Sequence, residues 1–79
     1  MKVLVKTYAG LKDYFQESME LELNGLDIHA VKQELGKIKP ESLALLENCR
    51  FAINQEFAAC EHELTHGDII DILPPSSGG

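Results

Sequence analysis

Ile69-Ile70-Asp71-Ile72-Leu73-Pro74-Pro75-Ser76-Ser77-Gly78-Gly79 is the stretch on which the reading of this chain turns. Its first five residues are apolar apart from Asp71, and isoleucines, stiff at χ1, suit a pleated surface, so a β-strand is predicted. Gly67-Asp68 marks the tight turn that precedes it. Pro74 and Pro75 cannot continue a sheet and favour an extended polyproline conformation. Ser76, Ser77, Gly78 and Gly79 bury nothing, and the last six residues could reach about 20 Å from the body. A frayed terminus is the ordinary explanation of such an end. Here the tail leaves from one of the two most apolar strands, which places its root at the centre of a sheet. The prolines stiffen its first part and the glycines remove every Cβ from its last. A slim, uncharged end with one carboxylate is suited to threading a narrow channel in another protein. The expected organisation is a folded domain over residues 1–73 and a flexible, extended tail over 74–79.

Working outward from that strand, Met1 to Tyr8 reads as a second one, with β-branched Val3 and Val5 alternating with Lys2, Leu4 and Lys6. Gly10 breaks the pattern, and residues 11–15 could form one helical turn. Met19, Leu21 and Leu23 alternate with Glu20, Glu22 and Asn24, which predicts a half-buried strand antiparallel to the first. Asp27 is a good N-cap for a helix with Ile28, Val31 and Leu35 on one face and a C-terminal stop at Gly36. Pro40 suits the first turn of a shorter helix through Leu46, with Leu43 and Leu46 inward. Phe51-Ala52-Ile53-Asn54 is another strand candidate. The order strand, strand, helix, then at least two strands is that of a two-layer α+β domain. Its first and last strands are expected to be parallel neighbours at the sheet centre.

The chain has 79 residues, which allows one domain and a modest core. That length leaves no room for a deep substrate cavity as well. No apolar run approaches the roughly 20 residues of a membrane span, and the first residues are too short an apolar run for a signal peptide. No membrane association and a cytoplasmic location are therefore expected. The net charge is −6, and Arg50 is the one arginine. Nucleic acid binding needs clustered basic groups and is not expected, whereas an acidic surface speeds encounters with a basic protein partner. Cys49 and Cys60 fit no metal or redox spacing and read as free, buried thiols in a reducing compartment. Nothing in the sequence favours a disulfide between them.

The segment from Leu64 to Gly79 resembles the end of the small subunit of molybdopterin synthase, a sulfur carrier of the ubiquitin-like β-grasp group. The shared pattern is a leucine, a turn with Gly67-Asp68, an apolar strand, Pro74-Pro75, two variable residues and Gly78-Gly79. The opening strand followed by Tyr8-Ala9-Gly10-Leu11, and Phe51-Ala52-Ile53-Asn54-Gln55, agree with it. Ser76 departs from it, because an apolar residue is frequent there. The resemblance implies a mixed sheet of four to five strands with one main helix on one face and short helices besides.

It also implies a function. The Gly79 carboxylate would be adenylated by an activating enzyme of the ubiquitin-activating kind, which uses ATP and magnesium, and then converted to a thiocarboxylate. Pro74, Pro75, Ser76, Ser77 and Gly78 would thread the partner's site. The large synthase subunit, joined in a heterotetramer, would use the sulfur to build the dithiolene of the molybdenum cofactor on a pterin precursor. No cofactor would be bound by the carrier itself, which would be a non-catalytic, positioned reagent. Tyr8 and Leu73 would line a patch for both partners, or else pack in the core. Lys12 would pair with an acid across the interface, or else be solvated. Asp68 and Asp71 would steer the tail to a basic channel, or else be turn and strand-face charges. Carriers for thiazole or tRNA thiolation share the fold and the Gly-Gly end, and a ubiquitin-like protein modifier would use the same activated carboxylate.

One further motif competes with this reading. His62-Glu63-Leu64-Thr65-His66 matches the H-E-x-x-H signature of zinc proteases. That chemistry needs both histidines on one helical face, with the glutamate activating a zinc-bound water. Glu56, Ala58, Ala59 and Glu61 are helix formers, but Thr65 and Gly67-Asp68 leave no helix after His66. With no third ligand in frame, no metal is expected, and the stretch reads as a short edge strand and turn with exposed histidines. His29 reads as a solvated residue on the polar face of the main helix.

Overall fold

A computed structural model describes residues 1–75. Five strands form one sheet in the order β2-β1-β5-β3-β4: β1 Lys2–Thr7, β2 Ser18–Glu22, β3 Arg50–Ile53, β4 Glu56–Ala58 and β5 Ile69–Leu73. Helix α1 (Ile28–Ile38) covers one face, and a 3₁₀ turn (Pro40–Ser42) leads into a single α turn, α2 (Leu43–Leu46). The chain therefore has the ubiquitin-like β-grasp architecture expected, α+β with two layers and a mixed sheet.

Register follows from hydrophobic alternation. Val3 and Val5 of β1 face Leu21 and Met19 of antiparallel β2, and Val5 and Thr7 lie level with Ile70 and Ile72 of parallel β5. Ile72 and Ile70 in turn oppose Phe51 and Ile53 of β3. A slip by one residue would turn this whole set to solvent, so the pairing is specified by burial. Together with Leu11, Ile28, Val31, Leu35 and Leu46 these residues form the core beneath α1. β1 and β5 are parallel neighbours, and β5 is the third of the five strands.

Several expectations need correction. Gly36 does not stop the helix, which runs on to Ile38. A Cβ at Gly36 would lie 2.6 Å from Leu43 Cδ2, so this glycine is a seat for α2 rather than a terminator. Leu46 is buried as expected, but Leu43 is 43% exposed because it lies across that seat rather than under the helix. Asn54 is outside β3: it and Gln55 have φ of +50° and +75° and make the two-residue hairpin turn to β4. The helix formers at Glu56 and Ala58 lie in that edge strand, where cross-strand pairing overrides propensity. In the H-E-x-x-H stretch the only ladder contact is an isolated bridge between Asp27 and Glu63. Cys49 and Cys60 are free but half-buried rather than buried. The Cys49 thiol donates to the Leu45 carbonyl at 3.2 Å, and burial pushes its pKa up.

Candidate functional site

Because β1 and β5 are parallel, their C-terminal ends emerge together. Thr7 lies level with Ile72, which puts Tyr8 level with Leu73 at the root of the tail. The Tyr8 hydroxyl donates to Asp71 Oδ1 at 2.9 Å and ties the end of β1 to β5 on the face that α1 leaves bare. Leu73 and Pro74 are half-buried and Pro75 is exposed. Ser76, Ser77, Gly78 and Gly79, expected to thread a partner's site and carry its chemistry, lie outside the described residues.

The bare face is built by alternation. Leu4, Lys6, Ala52, Ile69, Asp71 and Leu73 share it, since each pairs with another residue of the same face. A shallow depression of about 320 Å³ lies among Tyr8, Lys6, Ile69, Asp71 and the hairpin turn residues Asn54 and Gln55. Tyr8 and Ile69 are each 38% exposed and Phe57 is 62% exposed, so apolar surface lies open beside the root. Tyr8 does not pack in the core; it is a surface group held by a hydrogen bond.

Lys12 stands in the 3₁₀ turn Ala9–Asp13 that follows β1, exposed, with its ammonium 4.0 Å from Glu17 Oε1. A contact that long between exposed side chains contributes little. Asp68 does not join the tail root. Its carboxylate accepts from the Thr65 backbone N–H at 2.8 Å and from Asn54 Nδ2 at 3.2 Å, and it holds the turn before β5. His62, Glu63 and His66 are exposed and not helical. His66 Nδ1 accepts from the Lys2 backbone N–H at 3.2 Å, which ties the turn to β1.

The sequence reading missed Arg50. It pairs with Leu73 across β3 and β5, and its guanidinium stacks 4.5 Å from the centre of the Phe57 ring. A fixed cation and an exposed aromatic ring therefore stand next to the tail root. No local signal announces this, because Arg50, Phe57 and Leu73 meet only through strand pairing.

Comparison with protein families matches residues 5–79 to the ThiS family, a match that includes the tail root and the Gly-Gly end. The chain belongs to the ThiS family. Among solved structures this ThiS-family chain is similar to SAMP1 from Haloferax volcanii, with a TM-score of 0.85, 19% identity and full coverage of both chains. It is similar to small archaeal modifier protein 1 from Methanosarcina acetivorans at TM-score 0.84 and 24% identity, covering 99% of this chain and 96% of that one. It also resembles a chain in the complex of subunits 1 and 2 of the molybdopterin-converting factor from Helicobacter pylori, at TM-score 0.71 and 25% identity with full coverage of both. No curated protein matches the sequence.

Proposed function

We propose that this ThiS-family chain is a sulfur carrier for molybdopterin synthesis. The observation that carries the reading is where the tail starts: Leu73 ends the central strand β5, and Pro74-Pro75 follow it beside an exposed apolar patch and an arginine stacked on Phe57. A carboxylate is a poor electrophile, being anionic and resonance-stabilised. An adenylating enzyme of the ubiquitin-activating kind would use ATP and magnesium to join AMP to the Gly79 carboxylate and release pyrophosphate. Attack by a sulfur donor would then expel AMP and leave a thiocarboxylate. The large subunit of molybdopterin synthase would receive the tail and take the sulfur into a pterin precursor. This chain contributes no acid or base to these steps. It supplies reach, a fixed exit direction and a docking face, which lower the entropic cost of bringing the acyl group to the partner's site. The similarity to a chain in the complex of subunits 1 and 2 of the molybdopterin-converting factor supports the large-subunit partner.

A second reading, a protein modifier joined to lysines through an isopeptide bond, is favoured by the similarity to two archaeal modifier proteins. Carriage of sulfur for thiazole or tRNA would use the same chemistry, and the Pro74-Pro75 pair argues for the molybdopterin branch. Intact mass measurement after incubation with the activating enzyme, ATP and a sulfur donor separates the readings. A carrier gains the mass difference between sulfur and oxygen, whereas a modifier appears as covalent adducts on other proteins. Deleting Gly78 and Gly79 should abolish sulfur loading and leave the melting temperature unchanged; loading by the truncated chain would overturn the proposal.

A further inference from the structure

β2 lies at one edge of the sheet. The Thr7 N–H donates to the Glu17 carbonyl at 3.0 Å and the Leu23 N–H to the Met1 carbonyl at 2.8 Å. Hydrogen-bonded and non-hydrogen-bonded pairs alternate along an antiparallel ladder, so Met19 and Leu21 also spend their backbone groups on β1. Ser18, Glu20 and Glu22 therefore turn their N–H and C=O groups outward, away from the sheet. The pairing runs unbroken over five residues with no bulge and no proline, which leaves a regular template for another strand.

The surroundings of that edge are of two kinds. On the helix side, Tyr14, Phe15, Met19 and Ile38 give the apolar part of a depression of about 500 Å³, whose lining also includes Gln16, Ser18 and Glu20. Ile38, the last residue of α1, is 48% exposed over it. On the bare side, Glu20 and Glu22 are exposed at alternate positions of β2, opposite Leu4 and Lys2 of β1. The Glu22 carboxylate accepts from the Met1 ammonium at 3.0 Å, and Glu20 is in no ion pair among the described residues. A strand laid along this edge would send alternate side chains toward the apolar lining of that depression and the others over the unpaired Glu20 carboxylate.

We propose that the β2 edge binds an extended segment of a partner protein in which apolar and basic residues alternate, added to the sheet as a sixth strand. Main-chain hydrogen bonds to Ser18, Glu20 and Glu22 supply the attachment, the apolar lining of the depression selects the apolar side chains and Glu20, the glutamate without an ion pair among the described residues, selects a basic one. A second copy of this chain is not the occupant. Pairing β2 with β2 would set glutamates against glutamates across the new ladder, which destabilises it. The surface is separate from the tail root, so it serves a contact made whether or not the tail is engaged.

The test is an NMR titration of the full chain with a capped seven-residue peptide of alternating lysine and valine. Two comparison peptides replace every lysine by glutamate or carry an N-methyl group on every amide. The basic peptide should shift and protect from exchange the amides of Ser18, Glu20 and Glu22 and move the side-chain signals of Met19 and Ile38. It should bind at least about tenfold more tightly than the acidic peptide, and Glu20→Lys should remove most of that preference. Absence of saturable binding, equal binding of the acidic or N-methylated peptide, or shifts centred on Tyr8 and Leu73 would overturn the proposal.

Discussion

Tyr8 shows how one side chain joins two strands without being buried. Its phenol donates to Asp71, and that bond, then lost hydration, then the charges of Asp71 and Glu17 hold its pKa above the ordinary tyrosine value. The raised value means that the neutral, donating form is favoured in the fold. Its contribution is complete below the ordinary tyrosine range and disappears as pH rises through the raised value. Asp71→Asn should bring the Tyr8 titration back toward ordinary, read from its ring carbons by NMR. Gly67 is a second case where a single residue decides local geometry. Its φ of +91° is in the left-handed region, with nothing within 4 Å of where a Cβ would be. Gly67→Ala should therefore cost about 1–2 kcal/mol from backbone strain alone, seen as a lower urea midpoint with an unchanged slope. Gly25→Ala should also destabilise, for a steric reason, because its Cβ would sit 2.7 Å from the Ala30 methyl.

At the scale of elements, α1 is held at its start by a cap and at its end by contacts from later in the chain. Asp27 Oδ1 accepts from the Ala30 N–H at 3.2 Å, and Asp27 also bridges to Glu63. Asp27→Ala should cost about 1 kcal/mol, measurable by denaturant titration, with the helical circular dichroism of the folded state retained. The far end of α1 illustrates the limit of local signals. Glycine costs a helix about 1 kcal/mol against alanine, which is why Gly36 reads as a stop. Packing of Leu43 in the space it leaves outweighs that, so the helix continues through it. Likewise Glu56-Phe57-Ala58 has weak strand character, and its state follows from the tight turn at Asn54-Gln55, whose positive φ angles bring it back against β3.

Over the whole molecule, the sheet's centre bears both the stability and the root of the tail to which the proposal assigns the function. Ile70 and Ile72 are fully buried in β5, three residues and one residue before the tail root begins at Leu73. Ile70→Ala should lose about 2–5 kcal/mol, a large share of the roughly 4–12 kcal/mol available to a domain of this size. Urea unfolding checks this, and the same variant should load sulfur poorly at temperatures where it is partly unfolded. The Gly78-Gly79 deletion is the complementary case, with loading lost and unfolding unchanged. That pair of outcomes would separate anchoring of the tail, the scaffold's part in the proposed transfer, from the chemistry at its end.

The strands β1, β2, β3 and β5, the body of α1 and its cap were legible in the chain itself, because alternation, helical spacing and capping are written in near neighbours. The parallel placing of β1 beside β5 was legible too, since the two most apolar strands belong at the centre. What only the tertiary structure decided are the pairings between residues far apart. Arg50 beside Leu73, Tyr8 on Asp71, Leu43 over Gly36 and the open edge of β2 above a partly apolar depression are of this kind. Each depends on which backbone lies next to which, and that is settled by burying one face of a five-stranded sheet, a condition on the whole chain that no short window of residues contains.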